Sequence, residues 1–111
     1  MGKQVEYDVT SAIRGKQCAG CGNTAVTFSN DKTKGYVILH GHLIAEIDFN
    51  KKLTTLFHRG FESTVTKSRL NCVLDALNIN MRVAKRNRKF RLMRNGEVLK
   101  DFEDGMILSF D

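Results

Sequence analysis

The sequence contains no proline and no tryptophan, and it has only three cysteines among its 111 residues. Because it lacks proline and has only nine glycines, no stiff linker or low-complexity segment divides it. No apolar run approaches the roughly 18 residues that a membrane-spanning helix requires, and the N-terminal residues lack the layout of a signal peptide. We therefore expect a single cytoplasmic domain over residues 1–111, in which residues 1–22 form a strand or flexible arm followed by a loop.

The sequence also lacks the short motifs that mark common catalytic sites. It has no nucleophile elbow, no phosphate-binding P-loop, no H-E-x-x-H motif and no glycine-rich dinucleotide turn. A Cys72–His58 pair is the remaining nucleophilic arrangement, but Cys72 adjoins the apolar stripe of a predicted helix, where a thiol usually packs in the core. We therefore expect a binding protein, with no enzymatic activity and no cofactor.

The three cysteines cannot all pair within the chain, and reduced thiols are the default for a protein without a secretion signal. Cys18 and Cys21 belong to a C-x-x-C-G segment of the kind that holds zinc, which needs two further ligands. His40 and His42 could supply them together. The sequence leaves open two interpretations: a zinc-stabilised interaction module, or two free thiols in a loop.

Short apolar segments separated by turn residues predict that most of the chain is β-structure. Their tight spacing leaves no room for crossover helices, so neighbouring strands should pair antiparallel as a meander. Between them, four apolar residues repeat at the spacing i, i+3, i+4 and i+7 of a helix. We predict an α+β fold, an antiparallel sheet of about seven to eight strands with one helix packed on it. The helical stripe is Leu70, Val73, Leu74 and Leu77, and the predicted strands are 25–28, 36–39, 43–47, 53–57, 81–84, 89–94, 98–102 and 106–110.

Net charge is +6, and much of it lies in an acid-free segment from Arg82 to Arg94. A turn at residues 85–89 would project several cations together, an arrangement that suits phosphate or carboxylate groups. The alternative is a solvated hairpin whose cations are neutralised by the acidic strand that follows. The predicted binding residues of this segment are Arg86, Arg88, Lys89 and Arg91.

The turn residues Asn95-Gly96 predict a type I′ hairpin directly after the basic segment. This hairpin would place Arg94 opposite Glu97 and Leu92 opposite Leu99.

The start of the predicted helix is a second candidate anion site. Free backbone amides at a helix start attract anions, and Arg59, Lys67 and Arg69 would reinforce that attraction. The alternative is ordinary capping, for which Ser63, Thr64 and Thr66 are all suitable.

Residues 60–74 contain the helix start T-x-T-x-x-R-L-N-x-x-L after a glycine and an aromatic residue, and residues 39–45 precede them as a strand and turn. Across residues 36–77 the chain resembles a group of small tailed-bacteriophage proteins of unassigned function. The resemblance implies a phage source more than an activity, and small accessory phage proteins commonly act by binding. We expect an accessory protein of the host cytoplasm that binds a host enzyme or defence complex through its basic surface and modulates or inhibits it. Direct, sequence-nonspecific nucleic-acid binding through the same surface is the alternative.

Overall fold

A computed structural model describes residues 2–111, of which Gly2, Lys3 and Cys21 are described by their backbone alone. Nine strands form two antiparallel sheets, and two helices accompany them. The α+β class and the antiparallel pairing are therefore as the sequence predicts. The elements are α1 (Gly2–Gly15), β1 (Ala19–Cys21), β2 (Thr24–Phe28), β3 (Lys34–Leu39), β4 (His42–Asp48), β5 (Leu53–Leu56), α2 (Thr64–Ala76), β6 (Arg82–Arg86), β7 (Lys89–Arg94), β8 (Glu97–Asp101) and β9 (Met106–Ser109).

The larger sheet has six strands in the order β1-β2-β3-β4-β5-β9. Strands β2 to β5 form the predicted meander, because each connection between them is a short turn, and β1 extends it by one strand where the sequence predicts a loop. Strand β9 pairs with β5, so the segment between them leaves and rejoins the sheet at the same edge. That segment contains α2 and the second sheet.

The smaller sheet consists of β6, β7 and β8. Asn95 and Gly96 have φ angles of 53° and 81°, as the predicted type I′ turn requires, and Arg94 lies opposite Glu97. The predicted pairing of Leu92 with Leu99 is wrong, because the register shifts after Leu92 and sets it opposite Lys100. A bulge of this kind places one extra residue on one strand, and the hydrophobic pattern does not reveal it.

Helix α2 follows the sequence prediction closely. The side chain of Ser63 accepts a hydrogen bond from the Thr66 backbone N–H at 3.2 Å, which is ordinary N-capping. Asn78 adopts a φ of 57° just after the helix, the left-handed conformation that ends it. All four residues of the predicted apolar stripe are buried.

Helix α1 corrects the prediction of a strand or arm at the N-terminus. Val5 and Val9 are four residues apart, a spacing that fits both a strand and a helix, and Tyr7 between them suggested alternation. Ala12 and Ile13 complete a helical stripe with Val9, and all three are buried. Tyr7 lies on the opposite side and is 68% exposed.

One hydrophobic core joins both helices and every strand except β8, whose five residues are all exposed. It takes Val9 and Ile13 from α1, and it continues through the stripe of α2 into both sheets, as far as Phe90 and Leu92 of β7. The smaller sheet is thus packed on the same core as the larger one. Neither helix of residues 2–111 is long and apolar enough to cross a membrane.

Candidate anion-binding groove

Two side-chain contacts fix the smaller sheet against α2. The buried amide of Asn71 accepts from Val83 N–H at 2.8 Å and donates to Val83 C=O at 3.1 Å, so it bonds the free edge of β6 as another strand would. Glu62, just before α2, accepts a hydrogen bond from Phe90 N–H at 2.7 Å. Because both contacts use backbone groups of the sheet, they fix its position relative to the helix.

A groove of about 530 Å³ opens between α2 and the smaller sheet, and we call it the basic groove. It is lined by four cationic side chains and three asparagine amides, and no carboxylate belongs to the described lining. The cations offer a ligand positive charge and hydrogen-bond donors, and the amides offer donors and uncharged acceptors. The lining residues are Lys67, Asn71, Asn80, Met81, Arg82, Val83, Ala84, Arg86, Met93, Arg94, Asn95 and Gly96.

Most of the charge in the basic groove is uncompensated. Only two ion pairs occur between side chains of the described residues, and of the groove cations only Arg82 takes part, with Asp75 at 3.3 Å. Lys67, Arg86 and Arg94 have no carboxylate partner there. Such a groove favours phosphate or carboxylate groups, which guanidinium donors can bind with two parallel hydrogen bonds.

The predicted binding residues Lys67 of α2 and Arg86 of β6 thus line the same groove, although they belong to separate elements. Arg82 and Arg94 belong to the same basic segment but were not singled out from the sequence. The missed contributors are the asparagines. A signal for Asn71 existed, because it is a polar residue beside the apolar stripe of α2, and such a residue needs hydrogen-bond partners when it is buried.

Arg88 and Lys89 lie exposed at the tip of the β6–β7 hairpin. The two-residue turn is Asn87-Arg88, with φ angles of 53° and 65°. Glycine is strongly preferred at the second position of such a turn, because a side chain there strains the backbone. The exposed guanidinium of Arg88 is therefore held at a position that is unfavourable for folding.

Two predicted binding residues, Arg91 and Arg59, form contacts outside the basic groove. Arg91 forms an ion pair with Asp101 at 3.0 Å, as the alternative of neutralisation by the acidic strand predicts for this residue. Arg59 donates to Leu43 C=O at 2.9 Å, and its guanidinium lies 4.2 Å from the ring centre of Phe57. Neither side chain belongs to the basic groove.

Arg69 is the clearest correction among the predicted binding residues. Its side chain is buried at 6% exposure and donates to Thr24 Oγ1 at 2.8 Å and to Ser68 Oγ at 2.9 Å. Ser68 in turn donates to Glu6 of α1 at 2.6 Å. Arg69 therefore ties α1, α2 and β2 together and is not part of a binding surface.

A second cavity, of about 540 Å³, brings together all three histidines of the chain, and we call it the histidine cavity. The His42 and Phe61 rings lie 5.1 Å apart, and His58 packs against the rings of Phe90 and Phe102. The lining residues are Leu39, His40, His42, Ile44, His58, Phe61, Glu62, Ser63, Thr66 and Lys85.

The predicted zinc ligands do not form one cluster among the described side chains. Cys18 is exposed beside α1, at a small cavity that it shares with Asp8 and Ser11, whereas His40 and His42 line the histidine cavity. The side chain of Cys21 lies outside the described residues. No group of three metal-binding side chains is found in the described part of the chain.

Cys72 packs in the core, on the side of α2 that faces α1. Its thiol contacts Glu6 C=O at 3.6 Å, and burial raises the pKa of this thiol. Cys72 and His58 line different cavities, so the structure does not pair them.

A third cavity, of about 900 Å³, lies between α1 and α2. It carries charges of both signs, since Glu6 and Asp75 line it together with Arg14 and Lys67. Arg14 also donates to Asp75 C=O at 2.9 Å. A surface of mixed charge does not select an anion, so the basic groove is the stronger candidate.

The structure is that of a small, basic α+β protein with a groove whose described lining carries four cations and no carboxylate. Residues 2–109 match the model of the family described as Kyanoviridae Gp96 protein, and the chain therefore belongs to that family. It is a tailed-phage protein, as the resemblance at residues 36–77 implies. No curated protein and no solved structure shows a significant match.

Proposed function

We propose that this phage protein is an accessory factor of the host cytoplasm that binds a host macromolecule and modulates it. The basic groove would recognise anionic groups of that macromolecule. The observation that carries the proposal is that Lys67, Arg86 and Arg94 line one groove, and that the described lining of this groove has no carboxylate. Unpaired cations that line one groove raise its positive potential, which favours the binding of an anion.

The hydrogen bonds of the groove support the proposal as well. Asn71 and Glu62 hold the helix and the hairpin in a fixed relation, so the backbone segments that carry the cations are positioned before a partner binds. Preorganisation of this kind reduces the entropy lost on binding. The exposed Arg88 and Lys89 extend the positive surface beyond the groove.

Fluorescence anisotropy with three labelled polyanions tests the proposal: polyglutamate, duplex DNA and a single-stranded oligonucleotide. The variant carries Lys67→Gln and Arg86→Gln. The matched control carries Lys34→Gln and Lys51→Gln, which removes the same number of charges from exposed positions of the larger sheet. Thermal unfolding shows whether both variants remain folded.

We expect the groove variant to bind its preferred polyanion on the order of ten-fold more weakly than the unmodified protein. The control should stay within about two-fold, because distant surface charges contribute little at moderate salt. Equal losses in both variants would show that net charge alone drives binding and would refute the groove. Absence of binding to all three polyanions at low salt would refute the function.

A further inference from the structure

The histidine cavity and the basic groove are lined by neighbouring residues of α2 and β6. Consecutive residues of α2, Thr66 and Lys67, line the cavity and the groove respectively. Consecutive residues of β6, Lys85 and Arg86, do the same. A ligand that extends from one to the other therefore meets cations in the basic groove and aromatic rings in the histidine cavity.

The interior of the histidine cavity is suited to a flat ring. Its base includes the buried Leu39 and Ile44, and Phe61 stands beside it with 53% of its surface exposed. A phenyl ring this exposed, 5.1 Å from the His42 ring, offers a face on which another ring can stack. The volume of about 540 Å³ falls within the usual range of small-ligand sites.

Polar groups at the rim of the cavity can contact the edge of such a ring. His58 accepts a hydrogen bond at Nδ1 from Gly60 N–H at 2.9 Å, so a neutral His58 carries its proton on Nε2 as a donor. Glu62 is occupied by the Phe90 amide. Lys85 is the only cationic side chain of Lys or Arg type in the lining.

We propose that the histidine cavity takes an unpaired nucleobase of a single-stranded nucleic acid whose phosphates lie in the basic groove. The inference rests on the proposed function and specifies its partner. A stacking aromatic beside a line of cations is the combination that binds single strands without base pairing. A duplex keeps its bases stacked inside and cannot place one in the cavity without extruding it.

The test uses two variants of the full chain and a labelled single-stranded oligonucleotide. Phe61→Ala removes the stacking ring, and Tyr7→Ala removes an aromatic ring of similar exposure from α1 as the matched control. Because both side chains are largely exposed, both variants should fold, which thermal unfolding verifies. Polyglutamate and duplex DNA are measured in parallel.

We expect Phe61→Ala to weaken single-strand binding on the order of ten-fold and to leave duplex and polyglutamate binding within about two-fold. Tyr7→Ala should leave all three unchanged. Equal effects of the two variants on single-strand binding would overturn the proposed nucleobase site in the histidine cavity and would leave the proposal for the basic groove intact. Tighter binding of polyglutamate than of the single strand would also overturn it, in favour of an acidic protein partner.

A Phe61→Trp variant gives a second readout, because the chain contains no other tryptophan. Stacking of a base on the indole should quench its emission with the same concentration dependence as the anisotropy change. Quenching by the oligonucleotide and not by polyglutamate supports the base site. Anisotropy without quenching would contradict it. Absence of any polyanion binding by the unmodified protein would refute the proposed function itself.

Discussion

The two sheets use their charged residues differently. In the larger sheet and its connections, carboxylates close turns: Asp48 accepts from the Asn50 and Lys51 amides, and Asp31 accepts from Ser29 and Thr33. The hydrogen bond from the Thr33 backbone, with those from its side chain and Ser29, lowers the pKa of Asp31. Around the smaller sheet, the side chains of Lys67 and Arg86 form no such hydrogen bond or ion pair with the described residues. The first set of charges is explained by folding, and the second is the basis of the proposed binding groove.

The same contrast separates the two hairpins of the smaller sheet. Asn95-Gly96 has glycine at the second turn position, where φ is 81°, whereas Asn87-Arg88 has arginine there at a φ of 65°. The first turn follows the preference of the backbone. The second keeps a cation at the tip next to Lys89, at some expense in stability.

The largest change in stability should come from a substitution of Asn71, which connects α2 to the smaller sheet. Asn71→Leu leaves the Val83 N–H and C=O of a buried strand edge without partners, and we expect a loss of about 3 kcal/mol in the free energy of unfolding. Urea denaturation followed by circular dichroism measures it. Amide exchange should accelerate at Val83 more than at Ala45 in the larger sheet. A loss below about 0.5 kcal/mol would show that the smaller sheet does not depend on this amide.

A smaller loss should follow from Arg69→Met, which tests whether this cation belongs to the fold. The variant removes the hydrogen bonds to Thr24 and Ser68, and we expect a loss of about 2 kcal/mol. Lys67→Met, two residues earlier and partly exposed, should change stability by less than about 0.5 kcal/mol. If the two variants destabilised the protein equally, the distinction between a structural and a binding cation would fail.

Arg88→Gly should produce opposite effects on stability and binding. Relief of the left-handed backbone should raise the free energy of unfolding by roughly 0.5–1 kcal/mol, while loss of the cation should weaken polyanion binding about two- to five-fold. Denaturation and anisotropy on the same preparation measure both. A variant that is less stable, or that binds unchanged, would remove the functional interpretation of this turn.

Sequence patterns predicted the parts of the fold that local rules determine. The stripe of α2 and the segments of the meander have one clear period each, so their elements follow from it. In α1 the spacing of Val5 and Val9 fits two periods, and the outcome depends on burial of Ile13 against α2. The bulge after Leu92 depends on packing across strands, which no single segment reveals.

The candidate site was predictable only in part, because its residues come from separate elements. The basic segment identified Arg86, and the helix start identified Lys67, but their meeting depends on how α2 packs against β6. Packing of α2 against α1 and β2 buries Arg69, which the sequence could not distinguish from Lys67. The histidine cavity draws on the β3–β4 turn, the connection between β5 and α2, and strand β6, which are distant in sequence, and no local pattern joins them.

The salt dependence of single-strand binding tests the central claim most directly. Four groove cations that contact phosphates predict a slope of about −3 for the logarithm of the binding constant against the logarithm of salt concentration. The Lys67→Gln, Arg86→Gln variant should reduce the magnitude of this slope by about 1.4, and the Lys34→Gln, Lys51→Gln control should leave it unchanged. The same slope in all three proteins would show that phosphates do not lie in the basic groove.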